Sequence, residues 1–420
     1  MALFCAVNSK YQPIIGLLRE GKNPPDKRVP LSPAVCAQLM QLWPDTRIVV
    51  QPSPIRCFPE AEYAEVGCEI NEDLSTCNLL MGVKEVQIAD LIPGKVHLFF
   101  SHVAKRQPYN KALLQAVLQK GITLLDYELL TDQEGLRTVA FGRFAGIVGA
   151  HHGLAAFGKR SGAFELPGAW QVNRLSDLLS LYARIDWPPM RILVTGDGRV
   201  GKGAVELLRA AGIQELSSSE FLAGQVTGDV AAFCVLRSRD VFRRADSNND
   251  SGWDRLHFHA HQNLYVSQLA PYLSQADVLV NTLFWSAGGP RLFEQSDMRS
   301  ASFRVRTIAD ISCDIHGGVP ATFRFSSIAD PVYGYDPLNE TEILPYTNKS
   351  IDIMAVENLP CELPVDASEL FGEQLLASFF PAWMRDGLEA QELIRATIAR
   401  NGTLTSGFEY LGPGYGFESS

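Results

Sequence analysis

Short apolar runs alternate with segments whose apolar residues recur at helical spacing. Ile14–Leu18 (IIGLL) reads as a strand. Ser32 is placed to cap a helix that has Pro33 in its first turn and continues as AVCAQLMQLW. RIVV (47–50), NLLMGV (78–83) and HLFF (97–100) read as further strands. NKALLQAVLQ (110–119) has the period of a helix, and ITLL (122–125) closes the series. Residues 141–159, FGRFAGIVGAHHGLAAFGK, form a proline-free helical pattern of small residues, suited to close packing on another helix. A second alternating region covers roughly 190–330, with strands at Arg191–Thr195, Val230–Leu236, Val278–Val280 and Thr307–Ile311. The tail returns to helical patterns at Glu369–Phe380 and Gly387–Ala399. Strand–helix alternation predicts parallel sheets with helices on both faces, an α/β fold.

The length of 420 residues exceeds one ordinary core and predicts two domains. We expect a first domain of residues 1–140 completed by 356–420, and a dinucleotide-binding domain over 141–355. The net charge of −10 argues against a nucleic-acid partner, which needs a clustered positive surface. No apolar run reaches the ~18 residues of a membrane helix, and the N-terminus lacks the pattern of a secretory signal. The eight cysteines, at 5, 36, 57, 68, 77, 234, 313 and 361, include no C-x-x-C pair. The reading is a cytoplasmic protein with no membrane partner, in which the sequons at Asn339, Asn348 and Asn401 carry no sugar.

The sharpest signal is Gly196-Asp197-Gly198-Arg199-Val200-Gly201, directly after the strand RILVT and before the helix KGAVELL. In a dinucleotide turn the first glycine permits the bend, the second admits a pyrophosphate, and the third lets helix and strand approach. The helix start adds free N–H groups and a positive dipole end. An acid about 20 residues on usually binds the ribose. Here the following strand ends near LSSS (216–219), so Ser218, with Arg237 or Arg239, points to a 2′-phosphate. NADP(H) is favoured, with NAD(H) as the alternative.

In the first region, basic groups fall at strand ends or just beyond them: Arg19, Arg28, Lys84, His102, Lys105 and Arg137, with Gln107 beside them. Ligands of parallel sheets bind at such ends. A lysine beside a histidine suits proton transfer, because repulsion and partial burial push the ammonium toward neutrality.

RVPLSP, VVQPSP, EVGCEINEDLS, MGVK, FFSH, LLDYELL, VAFGRFAG, DISCDIHGG and AVENLPCELPVDAS together resemble the saccharopine dehydrogenases. The likeness is greatest to the saccharopine-forming lysine–2-oxoglutarate reductase part of the plant and animal bifunctional enzyme. The lysine-forming fungal enzyme and alanine dehydrogenase are more distant. The resemblance runs along nearly the whole chain. It implies two Rossmann-like domains, the tail completing the first, with the active site in the inter-domain cleft. It implies Lys84 as proton acceptor and His102 as proton donor. It places Arg19, Lys105, Gln107, Arg137 and Phe141 around saccharopine, and Asp314 near the nicotinamide. It assigns Gly198 and Arg199 to the pyrophosphate, and Phe284, Asp310, Ser312, Glu357 and Leu359 to the cofactor cleft. The implied reaction joins lysine to 2-oxoglutarate by imine reduction, giving saccharopine.

The alternatives are lysine formation with NAD, another amine–keto acid pair, and a nucleotide-binding regulator without turnover. No metal site is expected: His257, His259 and His261 alternate in LHFHAH, but the surroundings read as a helix start with no further ligand in place. His151 and His152 read as packed or exposed rather than catalytic, and DSNND (246–250) as a solvated loop. A homo-oligomer is compatible with all of this.

Overall fold

The structure, a computed structural model, describes residues 13–172, 174–224, 230–246 and 253–416. The expected loop at 246–250 falls mostly outside them. The chain divides into two compact units, Met1–Phe141 with Pro364–Ser420, and Gly142–Leu363.

The first unit holds the parallel strands β1 (Ile14–Leu17), β2 (Arg47–Val50), β3 (Glu69–Ile70), β4 (Leu79–Met81), β5 (Val96–Phe99) and β6 (Thr123–Asp126). Their order is β3-β2-β1-β4-β5-β6. The chain therefore winds outward in both directions from the β1/β4 pair, which opens a crevice at the carboxyl ends of those two strands. Helix α1 (Pro33–Leu42) begins as the capping pattern predicts, with the Ser32 hydroxyl accepting from the Val35 N–H at 3.3 Å. Helix α2 (Lys111–Gln119) buries Leu113, Leu114 and Val117.

The tail differs from the helical expectation. Helices cover Pro364–Ala377 and Phe379–Asp386, but the run expected as helix to Ala399 breaks after the short helix Gln391–Ala396. Thr397–Arg400 is a strand, antiparallel to β6 and followed by the strand Thr403–Leu404. Its β-branched Thr397 and Ile398 are buried there, and pairing covers what would be an open sheet edge.

The second unit opens with helix α3 (Gly142–Ser161). Its strands are β7 (Met190–Thr195), β8 (Gln214–Leu216), β9 (Ala231–Leu236), the β10/β11 ribbon (Phe242–Arg244, Tyr265–Ser267), β12 (Val278–Asn281), β13 (Thr307–Asp310), β14 (Val332–Asp336), β15 (Thr341–Ile343) and β16 (Ile351–Met354). Eight of them form one sheet, ordered β15-β14-β16-β13-β12-β7-β9-β8 and parallel except at β14 and β15. Both units are thus α/β, each with a mostly parallel sheet of eight strands.

Helix α4 (Arg199–Ala210) follows the glycine turn and crosses α3 with the backbones in contact. A Cβ on Gly146 would lie 1.9 Å from the Val200 carbonyl oxygen, and one on Gly203 would lie 2.0 Å from that of Arg143. The small-residue pattern of α3 is the requirement of this crossing.

The second unit runs on to Leu363 rather than 355. Glu362 holds it there, its Oε1 lying 2.8 Å from His152 Nε2 on α3, with both side chains buried.

Candidate functional site

At the β1/β4 crevice, β1 runs into Arg19 and Glu20, and β4 into Lys84 and Glu85. The Glu20 carboxylate spans the gap, accepting from the N–H groups of Val83 at 2.6 Å and Lys84 at 2.9 Å. Burial pushes its carboxyl up to about 7 against those hydrogen bonds. Lys84 is partly buried, and burial, with the positive charges of Arg28 and Lys22, pushes its ammonium down to about 8. Among the described residues its Nζ has no hydrogen-bond partner.

His102 follows β5 in the left-handed region, at φ 54°. Few side chains adopt that backbone, and residues that do cluster at functional sites. Asp126, at the end of β6, holds the turn in place: its Oδ2 accepts from the N–H groups of Ser101 (3.0 Å) and His102 (3.2 Å) and from the Ser101 hydroxyl (2.5 Å). The imidazole stacks on Phe100, and its Nδ1 lies 2.5 Å from Glu85 Oε1. Burial opposes ionisation of Glu85, but the hydrogen bond and charge of His102 prevail and hold its carboxyl down to about 2. Glu85 also pairs with Lys22 at 3.2 Å.

The lysine and histidine thus follow adjacent strands, and Glu85, next to Lys84 in the chain, engages the histidine. Beside them, Glu128 receives Lys105 at 2.9 Å and Arg137 at 3.1 Å. Arg28 is buried, with both ends of its fork on Asp26 (3.0 and 2.6 Å). Its guanidinium lies 4.2 Å over the Phe141 ring, which stacks in turn on Phe371.

Two of the residues singled out in the sequence lie elsewhere. Arg19 turns to Glu72 and the Pro52 carbonyl, because it stands beside the end of β2 and its loop rather than the β4 loop. Gln107 is engaged by the Tyr109 hydroxyl at the start of the next turn. Glu20, Asp26, Glu85, Asp126 and Glu128 went unread in the sequence. Each is an acid at a strand end or in the loop after it, which was the signal that could have found them.

In the second unit the glycines of the turn meet different surroundings. Gly196 has φ 105°, which only glycine adopts readily. A Cβ on Gly201 would lie 2.0 Å from the Gly196 carbonyl oxygen, whereas one on Gly198 would meet nothing within 4 Å. A cleft of about 390 Å³ opens beside the turn. Its walls are residues 196–200, Arg237, Ser238 and Arg239 after β9, Trp253, Arg255 and His259, and Thr282, Leu283 and Phe284 after β12. Four arginines and one aspartate give it a positive balance, and the Phe284 ring stands 75% exposed at its edge. Glycines that bring helix and strand together, an open second glycine and clustered cations suit a dinucleotide pyrophosphate.

Ser218 is not among the lining residues. The strand beside β7 is β9, not β8, so the segment that lines the cleft at the turn is Arg237–Arg239. Ser218 begins the short helix α5 (Ser218–Leu222), whose N-terminus is closed by Ser217 and Glu220. Asp310 is fully buried and satisfied by Asn281 (2.8 Å), Ser312 (3.0 Å) and Thr322 (2.6 Å), so it and Ser312 brace the ends of β12 and β13. Leu359 is buried against α3, while Glu357 is exposed. Asp314 lies in the loop beyond β13 near Trp285, its carboxyl raised by burial. His257 bonds the Tyr265 hydroxyl at 2.9 Å, and His151 lies between the Tyr182 hydroxyl (2.7 Å) and the Pro167 carbonyl (2.8 Å). Among the described residues, no helix is long and apolar enough to cross a membrane.

Comparison with known proteins adds relatives to this geometry. Residues 16–148 match the family "alanine dehydrogenase/PNT, N-terminal domain". The chain is 30% identical, over 95% of its length and 41% of the other protein, to the alpha-aminoadipic semialdehyde synthase of Arabidopsis thaliana. It is 28% identical to the mitochondrial protein of that name from Rattus norvegicus, over 96% of this chain and 48% of that one. The chain thus spans less than half the length of these relatives. It is also 25% identical to the saccharopine dehydrogenase [NAD(+), L-lysine-forming] of Emericella nidulans, over 91% of this chain and 96% of that one. An L-alanine dehydrogenase structure shares the fold, with a TM-score of 0.64 at 16% identity, covering 95% of this chain and 99% of the other. Residues 16–148 are thus similar to an alanine dehydrogenase/PNT N-terminal domain, and the chain is similar along most of its length to the alpha-aminoadipic semialdehyde synthases and saccharopine dehydrogenases.

Proposed function

We propose that the chain is a nicotinamide-dependent oxidoreductase that interconverts lysine plus 2-oxoglutarate with saccharopine. On this reading the first unit supplies the proton-transfer groups and the second holds the cofactor. The observation that carries the reading is the placement of Lys84, its ammonium pushed down to about 8, beside Glu85 in the chain at the end of one strand, with the Glu85 carboxylate engaging His102 after the neighbouring strand. The names of the relatives support the substrate class.

The ε-amine of lysine attacks a keto carbon only when neutral. Lys84 is poised to take that proton near neutral pH, where an ordinary lysine would already be charged. The adduct then loses water, and His102 delivers a proton to the departing oxygen. Glu85, ionised throughout, engages Nδ1 and leaves Nε2 as the ring atom that exchanges the proton. Glu20 fixes the backbone from which Lys84 projects. Lys105 and Arg137 hold substrate carboxylates, Arg137 through its planar fork, and so align the two reactants. The nicotinamide, when bound, supplies the hydride that reduces the imine carbon. The glycine turn, Arg199 and the arginines beyond β9 would hold it.

Two observations bear on the cofactor. Arg237, Ser238, Arg239 and Arg255 in the wall of the cleft favour NADP(H), and with it the synthetic direction of the plant and animal enzymes that the sequence resembles. The name of the fungal relative, of whose length this chain covers 96%, favours NAD(H) and lysine formation. The test is to mix the protein with lysine, 2-oxoglutarate and NADPH or NADH and follow absorbance of the reduced cofactor. Oxidation that requires both substrates supports the proposal, and the faster cofactor settles the second point. Cofactor binding with no turnover on any amine–keto acid pair would instead favour a regulator.

A further inference from the structure

The second unit contains another cleft, of about 440 Å³, on the flank of α3. Its walls include His152, Lys159, Glu165, Trp170, Asp330 and Tyr346, and it shares no residue with the cleft at the glycine turn. Its size lies within the range of about 300–1,000 Å³ typical of small-molecule sites.

Charges of both signs line it. Lys159, Glu165 and Asp330 form no ion pair among the described residues, whereas the neighbouring Arg160 is paired with Asp352 at 2.8 Å. The Lys159 ammonium lies 4.7 Å over the Tyr346 ring, and Trp170, 51% exposed, supplies a second aromatic wall. His152 is only 2% exposed, yet it lines the cleft. Its Nε2 meets Glu362 Oε1, and among the described residues Nδ1 has no hydrogen-bond partner. Behind it, Glu362 Oε2 is buried with no hydrogen-bond partner among the described residues. Such incompletely satisfied polar groups are costly in a core and are kept where a ligand needs them.

The balance of charges selects among ligands. Two carboxylates against one ammonium repel a phosphate or a dicarboxylate. A simple cation leaves Lys159 unanswered. A zwitterion answers both signs at once. We propose that this cleft binds a free α-amino acid, with its carboxylate on Lys159, its α-ammonium on Asp330 or Glu165, and its side chain against Trp170. The proposal stands apart from the activity assigned to the first unit, and either can fail alone.

The test uses the full chain with glycine, L-alanine and L-leucine as probes, and acetate and methylammonium as single-ion controls. Binding is read by calorimetry and tryptophan fluorescence. At least one amino acid should bind saturably, at least tenfold tighter than either control. Lys159→Met and Asp330→Asn should each weaken it tenfold or more, and Trp170→Phe should abolish its fluorescence change. Both charge changes are at exposed side chains, so circular dichroism and NADPH binding should stay as in the parent. Absence of saturable binding up to about 100 mM overturns the proposal. So does binding that both charge variants leave unchanged, or an acetate affinity equal to that of the amino acid.

Discussion

Adding one methyl group at either of two glycines in the same turn should separate stability from cofactor binding. In Gly201→Ala the new carbon would lie 2.0 Å from the Gly196 carbonyl oxygen and 2.7 Å from its carbonyl carbon, where 3.4 Å begins ordinary contact. Both obstructing atoms are backbone, so no rotamer can relieve the clash and α4 must back away from β7. Overpacking of this kind costs typically ~1–3 kcal/mol, and the rigidity of the contact places it near the top. For a unit of this size that is a fall in Tm of about 6–12 °C. Gly198→Ala is the opposite case. Its φ of −73° suits alanine, and its Cβ meets nothing within 4 Å, so the folded protein keeps its stability or gains a few tenths of a kcal/mol. The space the methyl enters is the space assigned to the pyrophosphate. Cofactor affinity should therefore fall by about tenfold or more, ~1.4 kcal/mol. Thermal unfolding followed by circular dichroism, beside NADPH fluorescence titration, measures both quantities. Unchanged NADPH affinity in Gly198→Ala would show that the cleft at the turn does not hold the pyrophosphate.

Lys84→Met should cut turnover by about a hundredfold or more while cofactor affinity stays within about twofold, as steady-state kinetics and titration would show; normal turnover would remove Lys84 from the mechanism. The rate should rise with pH and level off above about 8, where Lys84 becomes neutral, and a flat profile would exclude it as the base. The same depressed ammonium sets a stability trend. Between about 8 and the ordinary lysine value of ~10.4 the unfolded chain binds more protons, so this group makes stability rise with pH, a rise that Lys84→Met should reduce in urea titrations. Arg237→Ala combined with Arg239→Ala should weaken NADPH about tenfold or more and NADH little; equal losses would place the 2′-phosphate elsewhere.

What could be read from the sequence was local. The glycine turn declares itself because strand, bend and helix are adjacent in the chain, and the spacing follows from the contact of Gly201 with Gly196. Lys84 and His102 were legible as polar groups ending apolar runs. Strand order was not. Ser218 was named because β8 follows β7 in sequence, but lateral pairing put β9 there and carried Arg237–Arg239 to the turn. The direction of Arg19 was hidden for a similar reason, since it depends on Glu72, a partner in the loop after β3. The strand at Thr397–Arg400 owes its form to the open side of β6, which no helical period in the tail could reveal.

The crossing at Gly146 and Gly203 has a mechanical meaning. With main chain resting on main chain, no layer of side chains separates the two helices to shear or compress. The distance between α3 and the start of α4 is therefore fixed by backbone contact alone, and any side chain at Gly146 or Gly203 would force the two helices apart.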